Sequence, residues 1–296
     1  MADTATVLVT GASSGIGQAC ALRLDASGMR VFAGVRKQAD ADALASRASP
    51  RLTPLLLDVT DADSIATAAA TVSSAVGARG LDGLVNNAGV SGGEPVEFAD
   101  LDAVRAMLEV NLVGPMAVTK AFLPRVRTAR GRIVCVGSIG GRFAVPFLSA
   151  YSATKAGLAA FCDSLRVELA PWGIRVVLIE PGAVATPIWD KGRATLEERT
   201  AHLPAAATAL YGGAVEAMRR VTDRVERAAV PPDRVARVVE HALTSSHPRT
   251  RYLVGVDARV QAGVRRLPAP VRDTLLVRAM GLPRSPGSAT PPPPSS

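Results

Sequence analysis

A doubly wound α/β fold built on a parallel sheet follows from three features of this chain. Short apolar, often β-branched runs alternate with segments whose apolar residues recur at helical spacing. Three glycines, Gly11, Gly15 and Gly17, stand between the first such run and the first helical segment. No linker-like composition divides residues 1–258, so the alternation belongs to one domain.

The first run, ATVLVT at residues 5–10, suits a strand buried on both faces. Gly11-Ala12-Ser13-Ser14-Gly15-Ile16-Gly17 then opens a helix. Glycine permits the tight turn and lets backbone amides and the helix N-terminus approach a pyrophosphate closely. Gly11, Ser13, Ser14, Gly15, Ile16 and Gly17 are therefore candidate dinucleotide contacts. The second strand, MRVFAGVR, ends where a carboxylate would grip a ribose 2′-hydroxyl, but Arg36 and Lys37 stand there. Two cations suit a 2′-phosphate and favour NADP; Asp40 or Asp42 folding back to the ribose would admit NAD.

LTPLLLDV is the third strand and delivers Asp58 and Val59, where a carboxylate can accept a hydrogen bond from an adenine amino group. A helix over residues 61–76 leads to the fourth strand, LDGLVNNAG. In its last residues, Asn87, Ala88 and Gly89 allow close backbone approach to a cofactor, and Asn86 serves equally as a structural tie between strands. Residues 101–127 form one long helical pattern in which Asn111, followed by Gly114 and Pro115, marks a kink that frees backbone groups. RGRIVCVGS is the fifth strand and carries Ser138 to its C-terminal end, the edge where open α/β sheets bind ligands.

Tyr151 and Lys155 lie four apart in the helical segment YSATKAGLAAFCDSLRVELA, so their side chains share a face. An ammonium beside a phenol favours the phenolate, which suits Tyr151 to proton transfer; two unrelated residues on a solvated face is the plainer alternative. IRVVLIE is the sixth strand, a helix covers residues 232–243, and RYLVG closes the sheet as the seventh. The expected strand order is 3-2-1-4-5-6-7.

Composition excludes several classes. No run of eighteen apolar residues occurs, and the opening MADTATVLVTG has no basic region or cleavage site, which predicts a cytoplasmic protein. Cys20, Cys135 and Cys162 lack ligand spacing and pair with none of His202, His241 and His247, so no metal site is expected. Of the net charge of +8, eight Arg and two Asp between Arg249 and Arg284 supply +6. No aromatic residues interleave with those arginines, which argues against nucleic acid as a partner.

The glycine loop from Thr10 to Gly17, the Asn86–Gly89 turn, Asn111, Ser138, Tyr151 with Lys155, and the turn from Pro181-Gly182 to Thr186 resemble the short-chain dehydrogenase/reductase family in order and spacing. The resemblance covers residues 5 to about 190, and VFAGVRK with ELAPWGIRVVLIEPGAVATP is most similar to the retinol and 17β-hydroxysteroid dehydrogenase branch. It implies a Rossmann fold and hydride transfer between nicotinamide and the alcohol or carbonyl of a substrate. In that scheme Tyr151 is the acid or base, Lys155 lowers its pKa and holds the ribose, and Ser138 polarises the substrate oxygen. Asn111 would hold a water in a proton relay. Pro181, Gly182 and Val184 would pass beside the nicotinamide, and Thr186 would bind its carboxamide. A ligand sensor without turnover is the alternative, and the intact Ser138, Tyr151 and Lys155 set argues for the enzyme.

The family implies a mobile substrate lid over residues 187–228, a region of mixed apolar and charged residues. Phe147, Ile188 and Trp189 flank the predicted pocket with other apolar residues, so an apolar, steroid-, retinoid- or lipid-like substrate is expected; Arg142 would recognise an acidic group only if it turned inward. Residues 259–284 read as a basic extension of two short helices split by Pro268 and Pro270. They would cap the pocket, bind another subunit or rest on an anionic membrane surface. The proline-rich residues 285–296 should be disordered. Family practice also implies a homodimer or homotetramer paired through the long helices that hold Asn111 and Tyr151.

Overall fold

The computed structural model describes residues 4–187, 189 and 205–282. Its seven strands form one sheet in the order β3-β2-β1-β4-β5-β6-β7. They are β1 (Thr6–Val9), β2 (Arg30–Val35), β3 (Leu52–Leu56), β4 (Gly83–Asn86), β5 (Arg132–Val136), β6 (Arg175–Pro181) and β7 (Arg251–Val254). Every neighbouring pair is parallel, as the sequence predicts.

Strand residues alternate between two cores. Val7, Val9, Val134 and Val136 face helices α1 (Gly15–Ala26), α2 (Gln38–Ala45) and α8 (Pro232–Thr244). Leu8, Leu84, Ile133 and Cys135 face α3 (Ala62–Val76), α5 (Gly114–Ala129) and α6 (Ser149–Leu169). This is why the strands read as nearly continuous apolar runs: both faces are covered. Asp61 begins α3 by accepting the Asp63 and Ser64 amides at 2.9 and 3.4 Å, so it is the N-cap rather than the first helical residue that the pattern over 61–76 predicts.

The long helix expected over residues 101–127 is divided. α4 (Leu101–Leu108) passes through a π turn at Glu109–Val113 into α5. The irregularity sits on Asn111 itself rather than on Gly114 and Pro115, which are ordinary early residues of α5. By length and composition the 29-residue run Leu101–Ala129 would cross a membrane, but Val118, Phe122 and Val126 are buried against the sheet, as in a core helix.

α7 (Ala205–Arg227) belongs to the region read as a lid. α9 (Val256–Val264) and α10 (Ala269–Met280) follow β7, so a boundary drawn at residue 258 falls inside α9. These helices do not hang free. Ala258 is fully buried in a third cluster with Ile139 and Phe143, beside Val145, Ala262 and Leu276. The tail beyond residue 282 and the central part of the lid, residues 190–204, lie outside the described residues.

Candidate active site

The C-terminal ends of β1 and β4 are locked together by a threonine. Thr10 Oγ1 accepts the amides of Asn87 and Ala88 at 3.0 and 3.1 Å and points its proton at the Val85 carbonyl. Asn87 returns the contact, its Nδ2 donating to the Thr10 and Gly11 carbonyls at 3.0 and 3.1 Å. Asn87 therefore spends its amide on the loop, leaving Ala88 and Gly89 to offer backbone. Asn86 is buried and donates to Thr119 Oγ1 at 2.9 Å, a structural tie.

The glycine loop fits a pyrophosphate. Gly11 has φ +65°, and a Cβ there would stand 2.7 Å from Ala88 Cα. A Cβ on Gly17 would meet the Gly11 carbonyl at 2.1 Å, so this glycine lets α1 press onto the turn. Ser14 occupies the N-cap of α1 in extended conformation without bonding the helix amides through its hydroxyl. Those amides, with Ser13, Gly15 and Ile16 around them, are the free donors of a helix N-terminus, a geometry that suits an anion. Thr186 closes the far side, its methyl 3.0 Å from where a Gly15 Cβ would be.

Arg36 and Lys37 are exposed at the end of β2. Burial opposes ionisation of Asp58, but bonds from the Thr60 amide and hydroxyl and the nearby Arg36 charge hold its carboxyl below the ordinary value. Val59 is buried against the start of α5, within 2.8 Å of where a Gly114 Cβ would lie.

The four residues expected to carry chemistry converge beside Gly89 and Gly140. Asn111, fully buried in the π turn, accepts the Val90 amide at 2.8 Å and donates to the Val90 carbonyl and Thr154 Oγ1 at 2.9 and 3.1 Å. A Cβ on Gly89 would stand 3.3 Å from Asn111 Oδ1 and 3.4 Å from Lys155 Nζ; one on Gly140 would be 3.3 Å from both Ser138 Oγ and Tyr151 Cε1. Ser138 Oγ accepts the Gly140 amide at 3.0 Å, on the side of the turn that faces the Tyr151 ring. Lys155 Nζ donates to the Val136 carbonyl at 3.2 Å and lies 5.9 Å from the Tyr151 ring centre.

Electrostatically the pair differs from the simple expectation that the lysine depresses the phenol. Burial pushes the Tyr151 hydroxyl above its ordinary value, and only the neighbouring Ser138 hydroxyl opposes this. Burial also pulls the Lys155 amine down to about 8, partly countered by Cys135 and Cys162. The protein alone thus holds a neutral phenol beside an ammonium that loses its proton easily.

The comparison with known proteins agrees with this geometry. Residues 5–197 match the model of the short chain dehydrogenase family. Retinol dehydrogenase 5 of Mus musculus is 41% identical over 93% of this chain and 88% of its own length. The 17-beta-hydroxysteroid dehydrogenase type 6 of Bos taurus is 39% identical over 92% and 88% respectively. This chain is a short-chain dehydrogenase. It belongs to the retinol and 17β-hydroxysteroid dehydrogenase branch and is an oxidoreductase. Among solved structures, a short-chain dehydrogenase from Streptomyces avermitilis superposes with a TM-score of 0.75 at 28% identity, over 95% of this chain and 98% of its own. One from Burkholderia cenocepacia J2315, in complex with NADP, does so at 0.69 and 26%, covering 95% and 99%.

Other predicted residues of this dehydrogenase fall around the same edge. Pro181 ends β6, Gly182 donates to the Val254 carbonyl at 2.9 Å, and Val184 is buried and bridges to Val230. Trp189 folds back, its Nε1 donating to the Val184 carbonyl at 2.7 Å, while Ile188 lies outside the described residues. Phe147, at φ +66°, meets Tyr211 of α7 edge to face at 6.3 Å, and Tyr211 meets Phe98 at 5.9 Å. Tyr211 also donates to Glu97 at 2.9 Å. Sequence reasoning did not single out Thr10, Thr154 or Phe98 as site-forming, and only the strand-end position of Thr10 hinted at a role.

Proposed function

We propose that this short-chain dehydrogenase is an NADP(H)-dependent alcohol dehydrogenase or carbonyl reductase acting on an apolar substrate. One observation carries the reading: Ser138, Tyr151 and Lys155 meet at the strand ends beside a glycine loop built for pyrophosphate. Bound nicotinamide supplies hydride transfer to or from the substrate carbon. The protein's own residues manage the proton. Tyr151, kept neutral by burial, donates its proton to a carbonyl oxygen during reduction and takes one from an alcohol during oxidation. Ser138 hydrogen-bonds the same oxygen and polarises it. Lys155, whose amine titrates at about 8, replenishes the phenol and binds the ribose. Both amide hydrogens of Asn111 are engaged by Val90 and Thr154, so a relay water at this position is bound by a main-chain carbonyl that the π turn releases.

The apolar substrate is supported by the aromatic contacts that join Phe98, Phe147 and Tyr211 and by the apolar cluster of Ile139, Phe143 and Ala258 in the turn after Ser138 and the helix after β7. Relatives named for retinol and for 17-beta-hydroxysteroids agree with it. The NADP preference is supported by Arg36 and Lys37 and by the NADP complex of the Burkholderia structure. Exposed Met116 on α5 and Val167 on α6 fit pairing of two subunits through these helices.

The test is kcat/KM along a homologous series of ketones with NADPH, with Tyr151→Phe as the control. Activity should rise with buried hydrocarbon, at most by the factor that ~0.8 kcal/mol per methylene allows, and Tyr151→Phe should lose about 10²-fold or more while still binding NADPH. Preference for phosphorylated or polyhydroxylated carbonyls would overturn the substrate class, and an unimpaired Tyr151→Phe would overturn the mechanism.

A further inference from the structure

Asp257 has no part in the chemistry above, yet its carboxylate is built into the catalytic edge. It is the second residue of α9 and turns away from its own helix: Oδ2 accepts the Ala183 amide at 2.6 Å, across 74 residues of chain. Two glycines make room for it. A Cβ on Gly182 would stand 2.0 Å from Asp257 Oδ2, and one on Gly255 would stand 2.3 Å from Oδ1. Gly255, at φ +108°, also needs glycine for its backbone, but Gly182 is not among the residues with positive φ. Glycine at 182 is therefore demanded by the volume of the carboxylate.

The same short segment is fastened on its other sides. The Gly182 amide bonds the Val254 carbonyl at 2.9 Å, the Val230 amide bonds the Ala183 carbonyl at 3.0 Å, and the Ala185 amide bonds the Val230 carbonyl at 2.9 Å. With Asp257 in place every polar backbone direction of Ala183 is fixed, and the chain is delivered to Thr186 against Gly15. α9 grips the second catalytic loop as well, since Arg265 Nε donates to the Arg142 carbonyl at 3.0 Å and Ala258 packs on Ile139 and Phe143.

We propose that Asp257 is a positioning residue for the Pro181–Thr186 segment, holding the Ala183 peptide in the orientation that receives the nicotinamide half of the coenzyme. The C-terminal helices are then a working part of the coenzyme site rather than an appendage. This rests on the reading of that segment as the nicotinamide contact. The adenosine half binds at the other end of the cradle, at the ends of β2 and β3, and is untouched by Asp257.

Calorimetry with the full-length protein separates the two halves. The probes are NADP⁺ or NAD⁺, whichever the parent binds more tightly, and the matching fragment, 2′,5′-ADP or 5′-ADP. Asp257→Ala should weaken the whole coenzyme about ten-fold, the scale of one charge-assisted hydrogen bond, and leave the fragment unchanged. Asp257→Asn, which keeps an oxygen to accept the Ala183 amide, should recover most of the loss. Should Asp257→Ala fail to fold, Gly182→Ala, whose methyl displaces the carboxylate, should give the same split. Equal weakening of coenzyme and fragment, Asn no better than Ala, or coenzyme affinity at the parent level in the Ala variants would each overturn the proposal while leaving the dehydrogenase reading intact. A parent that binds the fragment and the coenzyme with the same affinity, or neither, would remove the reading of Pro181–Thr186 as the nicotinamide contact and the proposal with it.

Discussion

Arg142 holds Glu180 with both sides of its guanidinium, Nε to Oε1 and Nη2 to Oε2, each at 2.6 Å. Glu180 is 1% exposed and also receives Arg251 at 3.3 Å, while Arg251 extends the network to Asp163. The pair therefore ties the turn after Ser138 to the residue before Pro181, and Arg142 does not turn inward to await a substrate carboxylate. Arg142→Ala should cost about 2–3 kcal/mol in urea unfolding, below the full penalty for orphaning a buried charge because Arg251 remains. Its effect on kcat/KM should be the same factor for acidic and neutral ketones. A selective loss for acidic substrates would return Arg142 to the role of a recognition residue.

The lowered pKa of Lys155 has a consequence for stability that can be read without coenzyme. Burial brings the folded-state value down to about 8, whereas an unfolded lysine titrates near ~10.4. Below pH 8 both states carry the proton, and the folded protein bears the whole cost of a buried ammonium. Between about pH 8 and ~10.4 the unfolded chain binds a proton that the folded chain has shed, so stability rises with pH across that window. Subtracting Lys155→Met cancels the groups that do not interact with Lys155, leaving its own titration and its coupling to Cys135 and Cys162. The parent should gain on the variant by on the order of 3 kcal/mol from pH 7.5 to 10.5, measured by chemical denaturation. A flat difference would mean that Lys155 is solvated in the folded state.

What the sequence disclosed and what it hid divide along sequence distance. The strand order was legible because each element carries its own signal: alternating valines buried on two faces, glycines at Gly11 and Gly17 where a side chain has no room, and Tyr151 one helical turn from Lys155. Asn111 was legible as a kink, but its partner was not. The π turn is stabilised by Val90, 21 residues away, whose peptide takes the side-chain amide, and no local pattern announces that. The same limit hid the network around Glu180, a carboxylate inside an apolar strand whose two arginines come from a turn and from the last strand. It also concealed the balance at Tyr151, since the spacing shows a cation nearby but the desolvation of the hydroxyl, which decides the direction of the shift, comes from the tertiary packing. The C-terminal helices are legible as a basic extension; that their inner face closes on Ile139 and Phe143 depends on where β7 ends.

The coenzyme preference turns on the end of β2. Arg36 and Lys37 project into solvent there, and Arg36 is near enough to help hold the Asp58 carboxyl ionised. Asp40 and Asp42 both lie within α2, which begins at Gln38, and Asp42 accepts Gln38 Nε2 at 2.8 Å. A 2′-phosphate would therefore meet two cations with no competing carboxylate on the same loop. Arg36→Asp should weaken NADPH binding by roughly 1.5–3 kcal/mol, the range for a charge-assisted bond to phosphate, and improve NADH binding by supplying the missing ribose acceptor. It should also raise the Asp58 pKa, because a favourable charge is replaced by a like one. Fluorescence titration of NADPH and NADH against parent and variant decides the matter. Unchanged NADPH affinity would show that the phosphate is held elsewhere, and a parent that already prefers NADH would overturn the assignment of NADP.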